Sequence, residues 1–323
     1  MQKDVWIDAR SLSRPYVTGW ERYVQNLASG FENYSNITLE TISSNSKFQL
    51  LASDIRYPFK SRNFTVAHFP TYPPIQTSKV NFQIITVHDL TWWKYSKYSS
   101  FLGKYYYKFF MERAIKNSDA IVVPSYSIQK DLQKLFNVDE NKIFVIQHGN
   151  SLPQGISKKI DKPYFLSFGT IEPRKNLKFY AKAITLSGLT KDFDFIHVGR
   201  TGWGELPKVF NHISANDQEL ADLIINSHVV VVPSIYEGFG LPVLETHAQG
   251  KNVLLSNDPA LCELKLNSDS VFELNNLDSL IFRLKNVSSK VNQLSTDEIE
   301  QTKQYNWNIS IQKHLDLYRK FYE

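Results

Sequence analysis

The strongest constraint in this chain is an alternation, run through twice, of short β-rich apolar segments with longer helical stretches. In the first series Val5–Asp8 reads as a strand, followed by a glycine-containing loop and a helix over 21–30. A strand over 82–87 ends at His88-Asp89; a helix over 99–118, a strand over 120–124, a helix over 127–136 and a strand over 143–147 follow. Residues 151–163, SLPQGISKKIDKP, are polar and aperiodic and read as a linker. The second series then gives strands over 164–168, 193–198, 229–232 and 252–256, with helices over 176–186, 218–226 and 242–249 between them. Such alternation predicts parallel sheets flanked by helices. The expected architecture is α/β: two Rossmann-like, doubly wound domains facing each other across a cleft, with ligands at the carboxyl ends of the strands. The loops over 11–18 and 53–80 carry no pattern and are informative only about flexibility.

A length of 323 residues suits two domains. The net charge of +5 favours anionic substrates or an anionic membrane face, but the excess is too small to indicate nucleic acid, for which no motif exists either. Cys262 is the single cysteine, so neither an intrachain disulfide nor a cysteine-based zinc site can form. The amino terminus runs into strand-like sequence without a leader-type apolar stretch, and no apolar run approaches the length of a spanning helix. The expectation is a cytoplasmic protein, with peripheral membrane contact as the variant suggested by Lys94, Lys97, Lys104 and Lys108 among the aromatics Trp92-Trp93 and 105–110.

Two segments carry chemistry. In Pro233-Ser-Ile-Tyr-Glu-Gly-Phe-Gly-Leu-Pro-Val-Leu-Glu245 a buried-type strand ends, a glycine-rich turn follows, and Pro242 sits at the first helical position. The amides of Gly238, Phe239, Gly240 and Leu241 then point out of a helix start, a setting suited to phosphate oxygens. Glu237 precedes the turn and Glu245 lies in the first helical turn, each placed to meet hydroxyl groups beside the phosphates. In Tyr164-Phe-Leu-Ser-Phe-Gly-Thr-Ile-Glu-Pro-Arg-Lys-Asn176 a strand ends at Gly169, and Arg174 and Lys175 follow where adjacent cations can neutralise a diphosphate.

Together these segments resemble the nucleotide-binding half of the family 4, or group 1, glycosyltransferases, which have the GT-B fold. The resemblance extends to Val5-Trp-Ile-Asp-Ala-Arg10 with Thr18-Gly-Trp-Glu-Arg-Tyr23, to Thr86-Val-His-Asp-Leu90, and to Tyr305-Asn-Trp307 with the amphipathic residues after it. It implies an amino-terminal acceptor-side domain of residues 1–155, a nucleotide-sugar domain of residues 156–305, and a closing helix over 306–323 that crosses back onto the first. It also implies that Glu237 contacts the donor sugar, Glu245 the ribose, and Phe239 to Leu241 the sugar or phosphates. Arg174 and Lys175 would stabilise the departing diphosphate, Gly19 would approach it from the other domain, and His88 would lie near the transferred sugar. Where many members carry arginine after the first glycine, this chain has Thr170, which shifts the phosphate charge onto Arg174 and Lys175.

The activity implied is retaining, metal-independent transfer of a hexosyl unit, often mannosyl, rhamnosyl or glucosyl in such enzymes, from a nucleoside diphosphate sugar to a glycan or lipid-linked acceptor in surface polysaccharide assembly. No cofactor is implied. Asp192-Phe-Asp194 matches a metal-binding pattern but leads into an apolar strand and reads as a strand entry, and the histidines other than His88 lack metal-ligand spacing. A sugar-nucleotide epimerase or hydrolase of the same fold, and a silent sugar-nucleotide-binding partner of another transferase, remain as alternatives.

Overall fold

The computed structural model describes residues 4–13, 18–41, 61–74, 82–95, 101–290 and 292–321, with backbone alone at 101–107. The chain divides into two compact units, Met1–Gly149 with Asn306–Glu323, and Asn150–Tyr305.

The first unit is a parallel sheet of β1 (Val5–Asp8), β2 (Ile37–Glu40), β3 (Val66–Phe69), β4 (Phe82–Thr86), β5 (Ala120–Val123) and β6 (Ile143–Val145), in spatial order β2-β1-β3-β4-β5-β6. Its helices include α1 (Gly19–Phe31), α2 (Thr91–Lys94), α3 (Phe101–Asn117) and α4 (Tyr126–Phe136). Thr18 caps α1, and its amide donates to Glu21 at 2.9 Å, so the first turn is fixed by a reciprocal cap. β3 corrects the expectation that 53–80 is loop throughout. It is a central strand, buried at every position. Four residues with a histidine among them are too short to show a period.

The second unit holds β7 (Tyr164–Phe168), β8 (Asp194–Val198), β9 (Asn211–Ile213), β10 (Val229–Val232), β11 (Val253–Ser256) and β12 (Ser270–Phe272), in order β12-β11-β10-β7-β8-β9 and parallel throughout. Its helices are α5 (Leu177–Ser187), α6 (Asp217–Asn226), α7 (Leu241–Ala248), α8 (Pro259–Leu264), α9 (Leu277–Ser288) and α10 (Thr296–Thr302). Leu166, Val230, Leu255, Val243 and Leu261 are among the fully buried side chains of one face. Burying each such aliphatic contributes about 1.5–3 kcal/mol before entropy is charged. Residues 151–163, read as a linker, are fastened to this unit instead. Gly155, Ile156 and Lys158 donate backbone N–H to Gln249, Asp222 and Asn226 at 2.8, 2.8 and 2.7 Å. Side-chain acceptors thus satisfy a segment that has no strand of its own.

The closing helix α11 (Trp307–Arg319) belongs to the first unit, where Ile311, Leu315, Leu317 and Tyr318 join the core formed by Val5, Ile7, Tyr23, Val24 and Phe31. Among the described residues no helix is long and apolar enough to cross a membrane.

Candidate active site

Topology brings the two charged segments of the second unit together. β7 and β10 are hydrogen-bonded neighbours, and β7 is where the strand order turns back on itself. The loops leaving their carboxyl ends therefore meet at the switch point that doubly wound sheets use for ligands. Ile235 donates its N–H to the Arg174 carbonyl at 2.8 Å, which ties one loop to the other.

At their junction sits a buried ion triad. The two oxygens of Glu237 are divided between cations: Lys175 Nζ donates to Oε1 at 2.6 Å and Arg174 donates to Oε2 at 2.7 Å. Ser234 Oγ also donates to Oε1 at 2.6 Å, and Arg174 holds Glu172 at 2.8 Å and the Tyr236 carbonyl at 3.2 Å. Burial alone pushes the Glu237 carboxyl up, but Arg174, Lys175 and Ser234 outweigh it and hold the group down at about 2. Glu237, expected to meet a sugar hydroxyl, has its oxygens engaged by the two cations in this structure.

Backbone conformation explains the glycines. Gly240 caps α7 with φ +111°, and a Cβ there would lie 2.8 Å from Leu261. Gly169 has φ +123°, and Lys175 Nζ would lie 3.5 Å from its absent Cβ, so the ammonium passes close over a bare backbone. The helix starts at Leu241 with Pro242 second, one residue earlier than the sequence suggests. Val243 and Leu244 donate to the Gly240 carbonyl, so the amides of Gly240 and Leu241 come before the helical ladder begins, and Gly238 and Phe239 lead into them. Glu245 is consequently the fifth helical residue and is buried.

Two residues escaped the sequence reading. Arg200 follows Gly199 at the end of β8 and donates Nε to Thr170 Oγ1 at 3.3 Å, which places a third cation beside the threonine that stands where many members have arginine. The signal was Gly199-Arg200, in register with Gly169-Thr170 on the neighbouring strand. Asp258, 1% exposed, caps α8 by accepting from Ala260 and Leu261 at 3.1 and 3.2 Å. Burial, reinforced by Glu237, pushes its carboxyl up to about 7 against the pull of those amides.

In the first unit, Gly19 opens α1 and His88 follows β4. His88 Nε2 donates to the Pro70 carbonyl at 2.8 Å, leaving Nδ1 as the acceptor, while Trp20 stacks on the ring and Tyr23 meets it edge-on. Burial lowers the imidazole to about 4, against the opposing pull of Pro70, Asp89 and Glu21, so the ring is neutral near pH 7. Of the membrane-facing expectation, Lys97 and the side chain of Lys104 lie outside the described residues. Lys94 pairs with Asp131 at 2.8 Å, and Lys108 lies over the Trp93 ring. Asp194 opens β8 and pairs with Lys162 at 2.7 Å.

Known proteins share this pattern. The model of glycosyl transferases group 1 matches residues 151–304, and that of glycosyltransferase family 4 matches 41–152. The O-antigen chain mannosyltransferase RfbU of Salmonella typhimurium is 30% identical over 57% of this chain, which spans 55% of that relative's length. The O-antigen chain mannosyltransferase B of Escherichia coli is 23% identical over 73% of this chain and 70% of its own. In fold, the chain is similar to sucrose-phosphate synthase from Thermosynechococcus elongatus, with a TM-score of 0.79 at 16% identity over 99% of both chains. Anabaena HepE in complex with UDP and glucose gives a TM-score of 0.70 at 12% identity, covering 97% of this chain and 98% of that one. Since the two family models adjoin and together take in most of the sequence, and the second sheet has the order that places the charged loops at a switch point, the chain belongs to the group 1 glycosyltransferases of the GT-B fold.

Proposed function

We propose that this chain is a retaining, metal-independent hexosyltransferase that moves mannose from a nucleoside diphosphate sugar to a hydroxyl of a glycan or lipid-linked acceptor. The observation that carries this reading is the triad of Arg174, Lys175 and Glu237 beside the start of α7. Arg174, shared between Glu172 and Glu237, and Lys175 on Glu237 stand beside a helix N-terminus that adds roughly half a positive charge. A diphosphate suits those donors. It draws Arg174 and Lys175 onto its oxygens and frees Glu237 to accept from sugar hydroxyls. In the transfer step the bond from C1 to the phosphate oxygen breaks and the acceptor oxygen bonds to C1 on the same face. The acceptor's proton passes to the departing phosphate oxygen, and the diphosphate leaves as the dissociated product. Neutral His88, with Nδ1 as acceptor, orients a sugar hydroxyl rather than supplying charge. Thr170 and Arg200 extend the phosphate-facing cluster, Glu245 receives ribose hydroxyls, and Gly19 offers backbone without a side chain at the start of α1.

Mannose is favoured because RfbU and mannosyltransferase B carry that activity in their names. The direct test adds GDP-mannose, UDP-glucose, UDP-galactose and dTDP-rhamnose singly to the purified protein. GDP-mannose is expected to raise the unfolding midpoint and, with an acceptor glycan, to release GDP. Stabilisation by none of the four would remove the reading, and GDP release independent of acceptor would make the protein a hydrolase instead.

A further inference from the structure

The second unit has a cavity at the opposite end of its sheet from the charged loops. It has a volume of about 300 Å³ and lies by the amino ends of β7 and β10, where Pro163 and His228 precede the strands. Five residues of β7 separate Pro163 from Gly169, roughly 20 Å at the usual rise of a strand. That volume falls at the lower end of small-molecule sites.

Its lining is one-sided in charge. Lys251, Lys290 and His228 face it with Asn226, Asn292 and Gln293, and no carboxylate lines it among the described residues. Lys251 is 9% exposed, and its ammonium has no hydrogen bond or ion pair among those residues. Burial lowers its pKa with no acidic neighbour to oppose it. Its three donors have no protein acceptor among the described residues and are left to water or a ligand in the cavity. The neighbouring side chains also carry acceptors. His228 Nε2 donates to the Val287 carbonyl at 3.0 Å, which leaves Nδ1 to accept, and Asn292 Nδ2, 3.3 Å from His228 Nε2, donates to the Val287 and Lys290 carbonyls, which leaves Oδ1.

Three helices end nearby: α6 at Asn226, α7 three residues before Lys251, and α9 two before Lys290. Each terminus brings roughly half a negative charge, so together they offset most of the two ammoniums and leave room for a single further negative charge. That excludes a phosphate dianion and suits a carboxylate. We infer that this cavity binds a small polyhydroxy monocarboxylate, its carboxylate on Lys251 and Lys290 and its hydroxyls donating to His228 and Asn292.

The test is a thermal-unfolding titration of the full chain with sodium glucuronate at constant ionic strength, run beside glucose and inorganic phosphate. Glucuronate at ten times its dissociation constant is expected to raise the midpoint by about 3 °C, and glucose and phosphate to have little effect. Lys251→Met keeps the apolar stem and is expected to abolish the shift. Lys290→Gln, at the exposed rim, weakens binding about tenfold, one lost charge contact's worth, and serves should Lys251→Met fail to fold. Lys175→Ala, at the other end of the strands, retains the full glucuronate shift, which separates this cavity from the donor site. A shift with glucose as large as with glucuronate, a larger one with phosphate in Lys175→Ala, where the donor site is disabled, none with glucuronate, or an undiminished one in either cavity variant overturns the proposal.

Discussion

Glu237 holds two cations apart from each other as much as it holds them in place, and this dual duty shapes what its removal does. Glu237→Gln keeps the shape and loses the charge. The variant is expected to lose about 10²-fold in turnover, the scale of a lost transition-state contact. It should also unfold at a lower temperature, because Lys175 then loses its counter-charge and Arg174 is left with Glu172. Steady-state kinetics and a melting curve on the same preparation read both effects, and an unchanged turnover number removes Glu237 from the chemistry. Lys175→Ala is expected to raise the donor KM and lower kcat together, about 10-fold each. Full transfer activity at limiting donor would show that the leaving group does not rest on this ammonium. The residue types of this triad were legible in the sequence, since two glutamates around G-F-G-L-P-V-L and a strand-end Arg-Lys pair are distinctive. Their mutual pairing was not. It depends on β7 and β10 being neighbours, a contact across more than sixty positions that no local pattern encodes. Arg200 was hidden for the same reason, being one routine basic residue until β8 sets it against Thr170.

Among the elements, α7 shows how a single backbone angle positions a site. Gly240→Ala forces a Cβ into left-handed backbone and against Leu261. It is expected to cost about 1–3 kcal/mol in urea unfolding. No loss would mean that the turn relaxes freely and does not define where the amides point. α8 carries the opposite kind of strain in its cap. The Asp258 carboxyl rises from 3.8 unfolded to about 7 folded, so the native state binds the extra proton between those values. Its stability contribution is therefore intact at acid pH and lost as pH climbs through 7. Asp258→Asn, which keeps the capping oxygen, should gain roughly 4 kcal/mol over the parent at pH 8 and little at pH 4, by the same linkage. Equal gains at the two values would show that the carboxyl is ionised throughout. Strands with several β-branched residues, such as β10, declared themselves in the sequence, whereas β2, half exposed at the sheet edge, and β3, interrupted by a histidine, did not.

At the scale of the molecule, the first unit is locked by a directional chain of hydrogen bonds. His314 Nδ1 faces the Ser310 carbonyl, which can only accept, so Nε2 must accept from Tyr23 OH. The Tyr23 oxygen then accepts from Thr86, Thr86 accepts from His68 Nε2, and His68 Nδ1 accepts from Tyr318 OH. α1, β3, β4 and α11 are thereby joined through neutral imidazoles. Burial holds His88 and His314 at about 4, and His68 and His148 also lie well below the ordinary value. The unfolded chain binds more protons than the native one between pH 4 and 6.5, so stability is level above that window and falls as pH drops through it. Each of His88 and His314 contributes up to roughly 3 kcal/mol of that fall. Urea titrations of the unit's tryptophan fluorescence at pH 7.5, 6.5, 5.5 and 4.5 read it, and a midpoint constant across the series would mean that the imidazoles are charged or solvated.

Because α11 completes the first unit and residues 150–305 form the second without it, the polypeptide leaves one unit and returns to it. A ribosome making this chain therefore delivers the later-starting body whole while the earlier one still lacks its last helix. The part synthesised first is completed only after the second, with Tyr23 and His68 awaiting His314 and Tyr318 until residues 306–321 have been made.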